Sequence, residues 1–293
     1  MVFHEFHKIS ALKWLDCDQN QISFLDVSNN LALQHLGCGC SCSGGNLLTS
    51  LDVSQNVNLT WLQCENNQLT HIDVSNNSAL DYLSLRNNEF ITSIDLSNNN
   101  LLEHLDVLNN AISTINLSNL ILLNVLFIGY NDLSAIDVTA NVELDYLHIS
   151  DNEISSLDLS NNTLLTALHC GDNQLTNLDI GNNLLISWVT LWNNHISSFD
   201  VSNNPLIDRL YCSDNQISTL DLSNLSALIT LECRNNNLTS LDLRNGNNIN
   251  LVSQYPTSPT SSPALDTRFN PDLSCIDVDN VNYSETSWVD SLG

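Results

Sequence analysis

The stretch Gly37 to Gly45 reads GCGCSCSGG, and thiols alternating in a glycine-rich setting are the pattern of a metal or redox site. A thiolate metal site needs four converging ligands, whereas the tight CxC of Cys40 and Cys42 supplies two. Three readings stay open for these two residues: a metal site, a disulfide involving this loop, or free thiols. The chain has nine cysteines, an odd number, so the thiols cannot all pair within it. Acid–base chemistry has two candidate constellations, Asp106 with His104 and His148 with His169. Two neutral imidazoles can hold a transition metal, but no third ligand converges on the histidine pair. No nucleophile elbow, phosphate-binding glycine loop or zinc-protease helix is present, and the expectation is that the protein is not an enzyme.

Composition narrows the partners. Seven Lys plus Arg against 33 Asp plus Glu give a formal charge of −26, a field that repels nucleic-acid phosphates and anionic membranes. With 42% apolar residues over 293, the chain can bury a substantial core. No stretch approaches the roughly 18 uninterrupted apolar residues of a membrane span, so no membrane insertion is expected. The opening MVFHEFHKIS has neither the basic start nor the apolar run of a secretory signal. That fits a cytoplasmic protein, or a chain that begins after its signal.

The elements that must position these residues come from a repeat. LDVSNN begins at Leu25, and variants begin at Leu51, Ile72, Ile94, Ile115, Ile136, Leu157, Leu178, Phe199, Leu220 and Leu241. The spacings are 26, 21, 22 and then 21 seven times, the mark of a solenoid. A second phrase, LxxLxCxxN, alternates with it, as in Leu12 to Asn20 and Leu59 to Asn67, and Ile22 to Asn30 fits the same template. LxL is a short strand signal with both apolar residues facing inward. The Asn that follows can bond the backbone at the turn, and stacked copies can bond each other. Cys17, Cys38, Cys64, Cys170, Cys212 and Cys233 take the second inward position and read as core thiols. The 26-residue turn places its surplus between Cys38 and Asn46, so the opening stretch is a five-residue insertion near 39–45.

These phrases resemble the leucine-rich repeat family, specifically the bacterial 21-residue class with two nested half-repeats, over roughly residues 9 to 247. The resemblance implies a mainly β solenoid of about eleven 21-residue turns, with a parallel concave sheet and little helix. The solenoid is expected over 1–247, followed by a Pro/Ser loop and cap over 248–293. Asn270 to Trp288 resembles the C-terminal cap of leucine-rich repeat proteins secreted by Bacteroidetes-type bacteria. Secretion or cell-surface display is what that likeness implies.

Residues flanking the inward positions point out of the sheet. Trp14, Trp61, Tyr82, Tyr146, His148, His169, Trp188, Trp192 and Tyr211 fall there, and a file of aromatics on a surface suggests recognition. His148 and His169 occupy one slot on consecutive turns, which predicts Cα atoms about 5 Å apart. Cross-strand aromatic pairing that merely stabilises the sheet is the alternative. On the other half-repeat a file of carboxylates recurs, and neighbours about 5 Å apart repel by about 1 kcal/mol even in water. Ser hydroxyls, salt or divalent cations would offset that, and Asp73, Asp95, Asp137, Asp158, Asp179 and Asp200 are candidate weak Ca²⁺ positions. No other cofactor is expected.

The leading expectation is a non-catalytic recognition or adhesion module binding a protein, peptide or polysaccharide on its concave aromatic face. The alternative is an acidic scaffold or spacer of a larger secreted protein. Ice binding, suggested by hydroxyl columns such as Thr49, Thr70, Thr92 and Ser113, is opposed by the adjacent Asp file.

Overall fold

A computed structural model describes residues 9–40, 44–251 and 265–282. Cys42, residues 252–264 of the Pro/Ser loop and residues 283–293 of the cap lie outside them. The chain divides into two compact units, Met1–Glu153 and Ile154–Gly293. Helix in the described chain is confined to a 3-10 turn at Asn248–Asn250 and the short stretch 281–282.

The first unit carries β1 (Trp14–Asp16), β2 (His35–Gly37), β3 (Trp61–Gln63), β4 (Tyr82–Ser84), β5 (His104–Asp106), β6 (Val125–Phe127) and β7 (Tyr146–His148). Each pairs in parallel with the next, with Leu15, Leu36, Leu62, Leu83, Leu105, Leu126 and Leu147 in register. Those leucines are buried and the residues on either side face outward, as the LxL alternation requires. The second unit carries β8 (Ala167–His169), β9 (Trp188–Thr190), β10 (Arg209–Tyr211) and β11 (Thr230–Glu232), again parallel and in order. Beyond β12 (Ser240–Asp242), β13 (Leu265–Asp266) joins β11 and β14 (Cys275–Asp277) joins β12. One further half-repeat pair therefore follows the Pro/Ser segment, with Asn270 as its turn asparagine. The LDVSNN halves are mostly extended backbone without ladders, apart from the β12–β14 pair and a bridge between Asp221 and Asp242.

Two files of buried asparagine hold the turns together, and their bonds run to backbone. Asn88 Nδ2 donates to the carbonyls of Cys64 and Leu85 at 3.0 and 2.9 Å, while its Oδ1 accepts the Leu69 N–H at 3.0 Å. Asn67, Asn131, Asn194 and Asn236 repeat that pattern, so each amide clamps its own turn to the preceding one rather than bonding another asparagine. On the other half-repeat, Asn56, Asn77, Asn99, Asn183 and Asn204 donate to two carbonyls of the turn before.

The residue before most turn asparagines is left-handed: Asn66, Asn87, Asn109, Asp151, Asp172, Asn193, Asp214 and Asn235 have φ between 49 and 57°. Asn and Asp tolerate that region best among residues with a Cβ, which accounts for the recurring NN and DN pairs. Cys17, Cys38, Cys64, Cys170, Cys212 and Cys233 are buried free thiols. Cys38 and Cys64 lie 3.2 Å apart, Sγ to Sγ. Of the three readings left open for the insertion, Cys40 takes the disulfide. Gly39 in that loop has no room for a Cβ, which would collide with the Glu65 backbone.

Candidate functional site

On the outward face of the first unit the residues leading β1 to β5 form one ring stack. Trp14 lies on His35 with centroids 3.6 Å apart and planes within 7°. Trp61 and Tyr82 follow at 3.4 Å, with His35–Trp61 at 5.5 Å and Tyr82–His104 at 4.4 Å. Val125 interrupts the file, and Phe127, from the next outward position, tilts toward His104 at 5.8 Å and Tyr146 at 4.9 Å. Parallel strands one turn apart force this arrangement, because flat side chains in register lie face on face. Beside the stack runs a groove of about 730 Å³, walled by the residues that precede the strands, among them Lys13, Thr60, Asp81, Glu103 and Asn124. Burial, and then the neighbouring Glu103 charge, push the Asp81 carboxyl up.

A polar patch stands in the outward files next to the rings. Glu65, 2% exposed, accepts the Ser84 hydroxyl at 2.6 Å, while its Oε2 has no partner. Arg86 bonds Asp106 at 2.8 Å and lies 5.4 Å over the Phe127 ring. Burial raises the Asp106 pKa against the opposing pull of Arg86, and Asp106 also accepts the Leu108 N–H. Burial, reinforced by Arg86, drops His104 to about 4, so its imidazole is neutral at physiological pH. The His104 and Asp106 pair is thus spent on packing and on an ion pair.

In the second unit, Trp188, Trp192 and Tyr211 border a cleft of about 310 Å³ with Thr190, Ser213, Asp214, Glu232 and Arg234. His169 meets Trp188 edge-on at 4.8 Å, and its Nδ1 lies 2.9 Å from the Thr190 hydroxyl. His148 belongs to the first unit, near Phe127 at 6.1 Å, and burial lowers its pKa. The described residues contain no group of three or more His, Cys, Asp and Glu placed to hold a metal ion. The nine aromatic and histidine candidates thus fall into two sets, five on the first unit and four on the second. His35, His104 and Phe127 join them in the stack; they stand in the same outward files, a signal available in the sequence.

Each carboxylate on the LDVS half caps its own turn. Asp73, Asp95, Asp158 and Asp200 accept the N–H of Ser75, Ser97, Ser160 and Ser202 at 2.9 Å, and Asp137 accepts that of Thr139. Asp179 accepts the Gly181 N–H at 2.8 Å. The bonds from Ser75 hold Asp73 below the usual carboxylate range, and those from Ser54 hold Asp52 there despite the charges of Asp26 and Asp73.

Parallel three-residue strands every turn, an inward leucine column and asparagine clamps define the class: this is a leucine-rich repeat solenoid. No protein-family model and no curated protein matches the chain. Among solved structures, the functional domain of InlJ from Listeria monocytogenes, which includes a cysteine ladder, is 30% identical with a TM-score of 0.77. That likeness covers 92% of this chain and 54% of the InlJ chain, so the chain spans about half the length of that relative. The leucine-rich repeat protein LIC12759 of Leptospira interrogans is 21% identical with a TM-score of 0.68, covering 94% of this chain and 74% of that one. The plant peptide hormone receptor RGFR1, solved in complex with RGF2, is 24% identical with a TM-score of 0.69, covering 82% and 42%. No helix of the described residues is long and apolar enough to cross a membrane.

Proposed function

We propose that this chain is a non-catalytic recognition module, secreted or displayed at a cell surface, and that the first unit's outward face takes an extended segment of a partner protein. The observation that carries this reading is the stack of Trp14, His35, Trp61, Tyr82 and His104 beside a 730 Å³ groove. Such a volume lies in the range of ligand sites, and aromatic residues are the usual anchors of recognition. The stack supports a peptide over a polysaccharide. A sugar ring packs on a free aromatic face, but here the faces of Trp61 and Tyr82 cover each other at 3.4 Å. What the stack presents to the groove is ring edges, with carboxylates and amides beside them, and these suit a peptide backbone better. The InlJ domain and the peptide-bound receptor RGFR1 share the fold, which supports recognition as the class of function without naming a ligand.

The test is a peptide and glycan array probed with the protein and with a Trp61→Ala/Tyr82→Ala variant that still melts cooperatively. Peptide binding lost in the variant is the expected result. Binding of glycans alone moves the assignment to polysaccharide, and silence on both arrays favours the acidic scaffold. Weak Ca²⁺ affinity at Asp73, Asp95, Asp137, Asp158, Asp179 and Asp200 is part of the proposal. Ca²⁺ should raise the melting temperature more than Na⁺ at equal ionic strength; equal shifts assign the effect to screening.

A further inference from the structure

The second unit's cleft differs in chemistry from the groove of the first. Its aromatic walls are Trp188, Trp192 and Tyr211, and carboxylates stand among them. Trp192 reaches its place because the preceding turn has Gly171 there: a Cβ at that position would stand 2.7 Å from the indole. The missing side chain of Gly171 thus leaves room for the indole of Trp192, which lines the cleft with Trp188 and Tyr211. Asp214 and Glu232 bring two carboxylates to the cleft and Arg234 one guanidinium. Arg234 lies 3.4 Å from Asp214, which also accepts the Asn235 amide at 2.8 Å. Arg209, over Trp188, adds a second guanidinium beside the cleft, so the pull on a cation is that of the whole chain, whose net charge is −26.

Two further observations point to the ligand. Trp188 already holds a cation, since the Arg209 guanidinium carbon lies 4.9 Å from its ring centroid. Ser213, at the cleft floor and 3% exposed, has a hydroxyl without a hydrogen-bond partner. Rings offer negative π faces to a cation, carboxylates supply the opposite charge, and a concave wall concentrates both.

We propose that the cleft of Trp188, Trp192, Tyr211, Asp214 and Glu232 seats an organic cation, namely the ammonium or guanidinium of a basic side chain on a partner polypeptide. Charge complementarity selects that occupant, because a basic segment is drawn by the whole acidic chain and anchored by one side chain in a 310 Å³ cleft. This rests on the recognition reading for the source of the cation only; the cleft's preference for positive charge stands without it.

The experiment is calorimetric titration of the intact protein with three short capped peptides that differ at one central residue: lysine, its neutral isostere norleucine, or glutamate. Tetramethylammonium serves as a free small cation. The lysine peptide should bind at least about tenfold more tightly than the norleucine peptide, the scale of a desolvated cation–π contact, and added salt should weaken it. Glu232→Gln, which keeps shape, and Trp192→Phe, which keeps a ring, should each reduce that preference several-fold while the melting temperature holds. Equal binding of lysine and norleucine peptides overturns the proposal in favour of a merely apolar cleft, and preference for glutamate assigns recognition to Arg234. Binding of tetramethylammonium without the lysine peptide overturns the polypeptide source. An affinity untouched by both variants places the cation elsewhere. The array variant carries changes only in the first unit, so loss of either result leaves the other standing.

Discussion

At the scale of single residues, the turn asparagines do the most demanding work. Asn88 is fully buried and satisfies two carbonyls and one N–H from two consecutive turns. Removing its amide leaves those groups without partners, at about 1–3 kcal/mol for a buried unsatisfied group. Asn88→Ala should therefore lower unfolding free energy by about 3 kcal/mol or more, read from chemical denaturation. A change below about 1 kcal/mol would mean that water replaces the amide. The buried thiols behave otherwise: Cys170 has its pKa pushed to about 12 by burial alone, the signature of a small apolar group in the core.

At the scale of elements, most turns depend on one left-handed residue before the asparagine. Tyr130 stands in that position with φ 53°, where most other turns place Asn or Asp. A left-handed residue with an ordinary side chain costs about 1–2 kcal/mol, less for asparagine. Tyr130 is exposed, so little packing opposes the change. Tyr130→Asn should raise stability by about 0.5–1 kcal/mol, and a lowered melting temperature would show that the ring near His148, 6.5 Å away, contributes more than the strain costs. The ring stack obeys element logic too. Strand register puts the rings one turn apart, and each stacked pair adds about 0.5–1.5 kcal/mol beyond its buried area. Sheet stabilisation and the proposed recognition surface are thus two consequences of one arrangement.

At the scale of the whole molecule, the acidic files set the response to pH. Asp52, Asp73, Asp95, Asp137, Asp200 and Asp221 all have pKa values lowered by hydrogen bonds from the Ser or Thr two residues on. With the folded pKa depressed below the ordinary 3.8, the unfolded chain takes up protons first as the pH falls. The contribution is fully present above that value and is lost as the pH drops through the folded range. The melting temperature should therefore fall steeply below about pH 4. Replacing Asp52, Asp73 and Asp95 with Asn, which keeps the turn acceptor and removes the proton site, should make that fall shallower. An unchanged acid limb would place the acid sensitivity elsewhere.

The sequence by itself determined the period, the inward leucines and thiols, the asparagine files and the outward position of every candidate aromatic. Those features repeat at a fixed spacing, and in a solenoid each turn packs on its neighbours in the same way, so a linear pattern maps onto a column. What the tertiary structure decided lies between columns. Phe127 leaves its own file to cover the gap at Val125, Trp192 lies over Gly171, and Asp266 and Asn270 resume the repeat after a segment that breaks it. The file of Asp charge is held by bonds from residues two positions on, so local geometry outweighs a repulsion that spacing alone makes conspicuous. Such outcomes depend on ring tilt, side-chain reach and the room left by a missing Cβ, which a one-dimensional period does not contain.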